Sequence, residues 1–246
     1  MTTLVLVHGL FGHLNIPEVL VAFGEVETSA PDLIGYGRYA DEDLSQLLLD
    51  DQANHVISHI EANHSGKVHL LGHSVGGAVC ALVTSLRPDL IASFISVEGN
   101  FTLKDAFWSS QIAEQTPEEV EQIIDGYRAD PEAWMNAAVA NSTELTSRFA
   151  NDWLNNQPPS TIQAQARAVV AATSAESYLR DLRQIMESEI PVHLIAGSRS
   201  AKGWDTPEWA AKLCSTRINI AGTGHLMMLE APTTFAKAVL YGMGSS

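Results

Sequence analysis

The stretch Leu70–Val79, LLGHSVGGAV, places one small hydroxyl residue between two apolar runs and surrounds it with Gly72, Gly76 and Gly77. Lys67–Leu71 reads as a strand, and Val75–Leu86 carries a helical pattern that stops before Pro88. Gly72-His73-Ser74-Val75-Gly76 therefore has G-x-S-x-G spacing at a strand-to-helix junction, the context that gives this pattern a mechanical meaning. A turn so tight holds the serine in a strained backbone conformation. Larger side chains at the flanking positions would collide with the adjacent strand and helix. The strain lifts Ser74 Oγ out at the carboxyl end of the sheet, beside the positive end of the following helix.

Outward from this turn, strand and helix alternate. Thr3–Val7 is a buried strand, Ile16–Phe23 a short helix with Pro17 in its first turn, and Val26–Ala30 a second strand. Asp43–Asn63 carries apolar residues at helical spacing, and Ile91–Val97 is the fourth strand. Such alternation implies parallel pairing, right-handed crossovers and helices on both faces. It breaks from Phe101 to about Ser188, where the patterns are helical and Trp108, Trp134 and Trp153 are scattered among them. Strand character returns at Pro191–Ala196. A helix at Pro207–Leu213, a strand at Thr216–Ile220 and a last helix at Pro232–Tyr241 follow. The expected architecture is α/β with a mostly parallel sheet. Residues 1–100 and 189–246 form its core, and residues 101–188 form a helical cap inserted after the fourth strand.

The composition narrows the function. A chain of 246 residues, 46% hydrophobic, can bury one sizeable core. Its formal charge of −15 argues against a nucleic-acid footprint or a polybasic membrane surface. Cys80 and Cys214 lie in apolar surroundings without metal-ligand spacing and read as reduced packing residues. There is no leader-like N-terminus, and no apolar run approaches the ~20 residues of a membrane span, so the expected location is the cytoplasm. The expected partner is a small-molecule substrate, with no nucleic acid or membrane; no feature sets an oligomeric state.

Four motifs occur in order: HGLFG at His8–Gly12, PDLIGYGR at Pro31–Arg38, GHSVGG at Gly72–Gly77 and GTGHLMMLEAP at Gly222–Pro232. With them the chain resembles the α/β-hydrolase fold family over nearly its whole length. The motifs look like that family's oxyanion loop, PDxxGxG turn, nucleophile elbow and histidine loop. Only seven residues precede His8, leaving no room for the family's two leading antiparallel strands. The hydroxynitrile lyase and plant methylesterase branch has a similarly short start. The resemblance implies a serine hydrolase that needs neither metal nor organic cofactor.

Ser74 is the expected nucleophile, and it needs a base within hydrogen-bond reach. Of nine histidines, His225 follows the last strand in a Gly-rich loop and matches the family's position. His8 and His73 are expected to hold loops, and His55 and His59, four apart on a helix, to form a solvated face without a third metal ligand. By family position the oxyanion donors are the backbone N–H groups of Leu10 and Val75. Where the family usually carries its acid, this chain has Ser200. Two carboxylates compete to replace it. Glu98 ends the fourth strand, where haloalkane dehalogenases and some relatives place their acid, and Asp205 lies five residues past Ser200. Glu98 is favoured because a carboxylate ending a hydrophobic strand needs a buried partner; bracing the Gly99-Asn100 hinge is its alternative role. Asp32 is expected to brace its turn and Met227 and Met228 to pack; Phe11, Phe101, Trp108 and Trp134 either line an apolar pocket beneath the cap or pack in the core, each role explaining them equally well.

The expected reaction is cleavage of an ester, thioester or lactone of a small apolar substrate through an acyl-enzyme on Ser74. Lyase or C–C bond chemistry on the same triad, and a low-turnover ligand receptor, are the alternatives.

Overall fold

Alternating apolar side chains decide how the sheet is covered. In a computed structural model, which describes residues 2–244, Val5, Val7 and Leu70 belong to one apolar cluster and Leu4, Leu6 and Leu71 to the other. Neighbouring residues on a strand point to opposite faces, so both faces must be roofed by helices. The chain runs β1 (Thr3–Val7), α1 (Pro17–Val21), β2 (Glu27–Ser29), α2 (Leu49–Asn63), β3 (Val68–His73), α3 (Val75–Leu86) and β4 (Ile91–Val97). Then come α4 (Phe107–Glu114), α5 (Pro117–Ala129), α6 (Pro131–Asn136), α7 (Glu144–Asn155), α8 (Pro159–Ser174) and α9 (Glu176–Glu187). The chain closes with β5 (Val192–Gly197), α10 (Glu208–Leu213), β6 (Thr216–Ile220), α11 (Met227–Glu230) and α12 (Pro232–Gly242). Helices α2, α3 and α9 cover the first face and α1 and α12 the second. Each side chain so buried is worth about 1.5–3 kcal/mol.

The strands are all parallel, in the order β2-β1-β3-β4-β5-β6. Val7 pairs with Gly72, Gly72 with Ser96, and Gly197 with Ile220, so the carboxyl ends are level and their loops gather along one rim. The α/β fold and the helical insertion are as the sequence implies. The bounds of β1, α3, β4 and β6 coincide with the expected ones.

Helix α2 differs, beginning at Leu49 and not at Asp43. Asp51 Oδ2 accepts the Leu48 N–H at 2.8 Å and caps the helix there, while Asp43 Oδ1 accepts the Ser45 N–H at 3.0 Å and closes a separate turn. The short helix α11 was not anticipated; its Met227 and Met228 are fully buried, as expected of packing residues.

The close approach of α3 to the sheet fixes the elbow. A Cβ on Gly76 would lie 2.3 Å from the Val7 carbonyl oxygen, and one on Gly72 would lie 2.3 Å from the Gly76 oxygen. Backbone on both sides leaves nothing to yield. Gly76→Ala is therefore expected to cost about 3 kcal/mol or more of stability, read as a lowered guanidinium midpoint. An unchanged midpoint would refute the contact.

Candidate active site

Ser74 and Glu98 are the only non-glycine residues with positive φ among the described residues, at 54° and 42°. Such backbone costs about 1–3 kcal/mol and persists only where its surroundings over-determine it. They do so here. The Ser74 N–H donates to the Val97 carbonyl at 3.0 Å, and the Ser74 carbonyl accepts from Gly77 at 2.9 Å and Asn100 at 3.1 Å. The Glu98 N–H donates to the Ile195 carbonyl at 3.0 Å. The turns ending β3 and β4 thus hold each other strained at the sheet's rim.

Glu98 is 6% exposed, and three donors converge on its carboxylate. His225 Nδ1 donates to Oε2 at 2.6 Å; the Gly197 N–H and Ser200 Oγ donate to Oε1 at 2.9 and 2.5 Å. Burial alone pushes this carboxyl up, but the hydrogen bond and charge of His225, with Ser200 and Gly197, outweigh it and hold it below its ordinary value of 4.5. A depressed folded value contributes stability that is complete above the ordinary value and is lost as pH falls from there through the folded one. Glu98→Gln should therefore flatten the acid limb of the stability–pH curve, measured by guanidinium unfolding between about pH 3 and pH 6. An equally steep limb in the variant would count against a charged Glu98.

Asp205 does not meet the imidazole. Its Oδ2 accepts from Thr102 Oγ1 at 2.7 Å and its N–H donates to Asp105 Oδ1 at 2.7 Å, which holds it among loop residues. Ser200, at the family's usual acid position, points its hydroxyl at Glu98 instead.

The imidazole loop is tied to the insertion. The His225 N–H donates to the Ala138 carbonyl at 3.0 Å. Glu230 Oε1 accepts from the Gly224 N–H at 2.7 Å, and its Oε2 accepts from Ala140 and Asn141 at 3.0 and 2.9 Å. His73 Nε2 donates to the His225 carbonyl at 3.0 Å; burial, and then the neighbouring His225, keep its ring well below the ordinary imidazole value and so neutral. His8 donates through Nδ1 to the Gly9 carbonyl at 2.9 Å and accepts the Leu33 N–H at Nε2, and burial lowers its value to about 4. Both histidines hold loops, as expected.

Ser74 and His225 line one cavity of about 720 Å³. No hydrogen bond joins Ser74 Oγ to the His225 ring among the described residues; such bonds are commonly long in empty sites and tighten around substrate. Leu10 and Val75 line the same cavity. The loop carrying Leu10 is anchored by Tyr36, whose hydroxyl donates to the Leu10 carbonyl at 2.8 Å, and by Asn156 Nδ2, which donates to the Gly12 carbonyl at 2.9 Å.

One sequence expectation needs correction, and Phe101 takes the packing role of the two left open for it. His55 and His59 are half-buried, not a solvated face: His55 Nε2 donates to the Asp32 carbonyl at 3.1 Å, and His59 Nε2 meets Ser29 Oγ at 2.7 Å, because α2 packs against the turn after β2. Phe101 lies outside the cavity lining; it packs edge-on to Trp204 at 5.6 Å, and Trp204 takes its place on the wall. Tyr127 and Glu230 also went unforeseen. Tyr127 sits on a helix of mixed polarity, and the role of Glu230 depends on a loop 90 residues away. Apart from these pairs, no three His, Cys, Asp or Glu side chains converge as metal ligands, and no helix is long and apolar enough to cross a membrane, among the described residues.

Residues 4–238 match the profile described as the alpha/beta hydrolase family. Lipase LipV of Mycobacterium tuberculosis is 24% identical over 208 residues, 80% of this chain but 59% of that protein. The chain thus spans less than two thirds of that relative's length. Among solved structures, an esterase from Exiguobacterium antarcticum superposes with TM-score 0.72 at 18% identity, covering 100% of this chain and 92% of that one. A haloalkane dehalogenase variant from Bradyrhizobium elkanii superposes with TM-score 0.74 at 17% identity, covering 99% and 89%. At such identities the likeness speaks for the fold alone.

Proposed function

The chain belongs to the alpha/beta hydrolase family, and from that premise we propose that it is a carboxylesterase-like serine hydrolase acting on an ester, thioester or lactone of a small, mostly apolar substrate. The observation that carries this reading is the pairing of buried Glu98 with half-buried His225, 2.6 Å apart, opening onto the cavity that Ser74 also lines. Glu98 fixes the imidazole with Nδ1 protonated, which leaves Nε2 free to take a proton. In this scheme Ser74 Oγ attacks the carbonyl carbon as its proton passes to His225 Nε2. The oxyanion accepts hydrogen bonds from the Leu10 and Val75 N–H groups, reinforced by the N-terminus of α3. Collapse expels the alcohol or thiol with the proton from His225. Water, deprotonated by the same ring, then releases the acid and restores the serine. Residues 101–188 are the cap that shapes the substrate site.

A fluorophosphonate probe tests the reading directly. The intact protein is expected to gain one adduct by mass, mapped to Ser74, and to show burst kinetics with a p-nitrophenyl ester. Labelling elsewhere, or no adduct at a serine said to be activated, would sink it.

A further inference from the structure

Three insertion helices bring aromatic rings to the residue beside the Leu10 backbone. Phe11 stacks on Trp108 of α4 with centroids 4.9 Å apart and planes 23° apart, and meets Trp134 of α6 at 5.3 Å. Tyr127 of α5 stands 6.4 Å from Phe11, 6.0 Å from Trp108 and 6.3 Å from Trp134. All four line the cavity, and the three insertion rings are only half-buried, so ring surface remains open to a ligand. Rings gathered solely to fill a core would be covered.

The charges on the same wall have one sign. The titratable groups lining the cavity are the carboxylates of Glu98, Asp105 and Asp130, the imidazoles of His73 and His225, and the Tyr127 phenol; no lysine or arginine lines it. Two nearby cations are engaged elsewhere: Lys104 lies 3.8 Å from Asp205, and Arg128 Nη2 donates to the Leu154 carbonyl at 3.2 Å; Lys202, between Ser200 and Gly203, is exposed and not part of the lining. An anionic substrate would enter a pocket whose lining carries three carboxylates and no lysine or arginine to offset its charge.

Resting on the serine-hydrolase reading, we propose that the cavity selects esters that carry a planar aryl group and no negative charge, with Phe11, Trp108, Tyr127 and Trp134 as the aryl-binding wall. Ring-on-ring contact discriminates aryl from alkyl groups of similar length by about tenfold. Missing countercharge disfavours a carboxylate-bearing analogue by about a hundredfold.

Three ethyl esters test this: 3-phenylpropanoate, hexanoate and monoethyl succinate. In the wild-type protein kcat/KM should fall in that order, by about tenfold and then about a hundredfold. Trp108→Ala and Trp134→Ala should each bring the aryl-to-alkyl ratio towards one, and Trp134→Phe should retain it. Asp130→Asn, which keeps an oxygen to cap α6 in place of the one that accepts the Ala133 N–H, should raise relative turnover of the succinate several-fold. Equal turnover of the aryl and alkyl esters, or a ratio unmoved in both alanine variants, would overturn the aryl wall. Succinate cleaved as fast as hexanoate would overturn the charge selection. Fluorescence titration of Ser74→Ala with the same esters reads binding without turnover. An aryl preference that survives there while Ser74 takes no probe sinks the hydrolase reading alone; labelled Ser74 without that preference sinks this inference alone.

Discussion

Ser74→Ala is expected to lower ester turnover by about 10⁴-fold or more while leaving substrate binding intact. The size of the effect follows from the chemistry. Without Oγ there is no acyl-enzyme, and the imidazole and backbone donors are left with only water as nucleophile. Alanine keeps the Cβ and hence the strained φ of 54°, so stability should change little. Ser74→Gly separates the two roles of this position. It should abolish turnover equally but raise stability by about 1 kcal/mol, because glycine adopts that backbone without penalty. Turnover measured beside thermal unfolding for both variants checks the pair. Activity surviving in either would mean that the chemistry lies elsewhere.

Glu98→Gln is expected to lower kcat by about 10³–10⁴-fold, and Asp205→Asn to change it less than about threefold. The contrast rests on what each carboxylate touches. Glu98 accepts the His225 Nδ1–H and is positioned to stabilise the imidazolium formed during attack; an amide carries no charge and can turn its NH₂ toward the ring, favouring the wrong tautomer. Asp205 accepts from Thr102 and serves only its own loop. Steady-state kinetics on both variants decides between them, and the reverse ranking would move the acid to position 205.

Much of this arrangement was legible in the sequence because it depends on local geometry. Gly72 and Gly76 announce a turn too tight for side chains, and the clashes a Cβ would make there, 2.3 Å from backbone oxygens, give the physical reason. Glu98 was legible because an acid ending the apolar run Ile91–Val97 demands a partner. What stayed hidden arises from residues far apart in the chain. Asp43–Leu48 carries helical periodicity, yet a cap at Leu48 and a turn at Asp43 hold it out of α2. Likewise, the exchange of Phe101 for Trp204 on the cavity wall depends on the Trp204 Nε1–H donating to the Gly99 carbonyl at 2.7 Å, across 105 positions. Periodicity records which residues are apolar but not which of two apolar neighbours takes the open side.

The clasp of Glu230 constrains how the molecule breathes. The Ala140 and Asn141 N–H groups it accepts, the Asn141 Nδ2 that donates to the Gly222 carbonyl at 2.8 Å and the His225 N–H held by Ala138 tie the α6–α7 connection to the loop that carries the imidazole. A hinged lid lifting at that end would tear four bonds and carry residue 225 away with it. Phe107, which also lines the cavity, stands 66% exposed and takes no part in those bonds. On the proposed scheme, a route past Phe107 would leave the Glu98–His225 pair assembled from one turnover to the next.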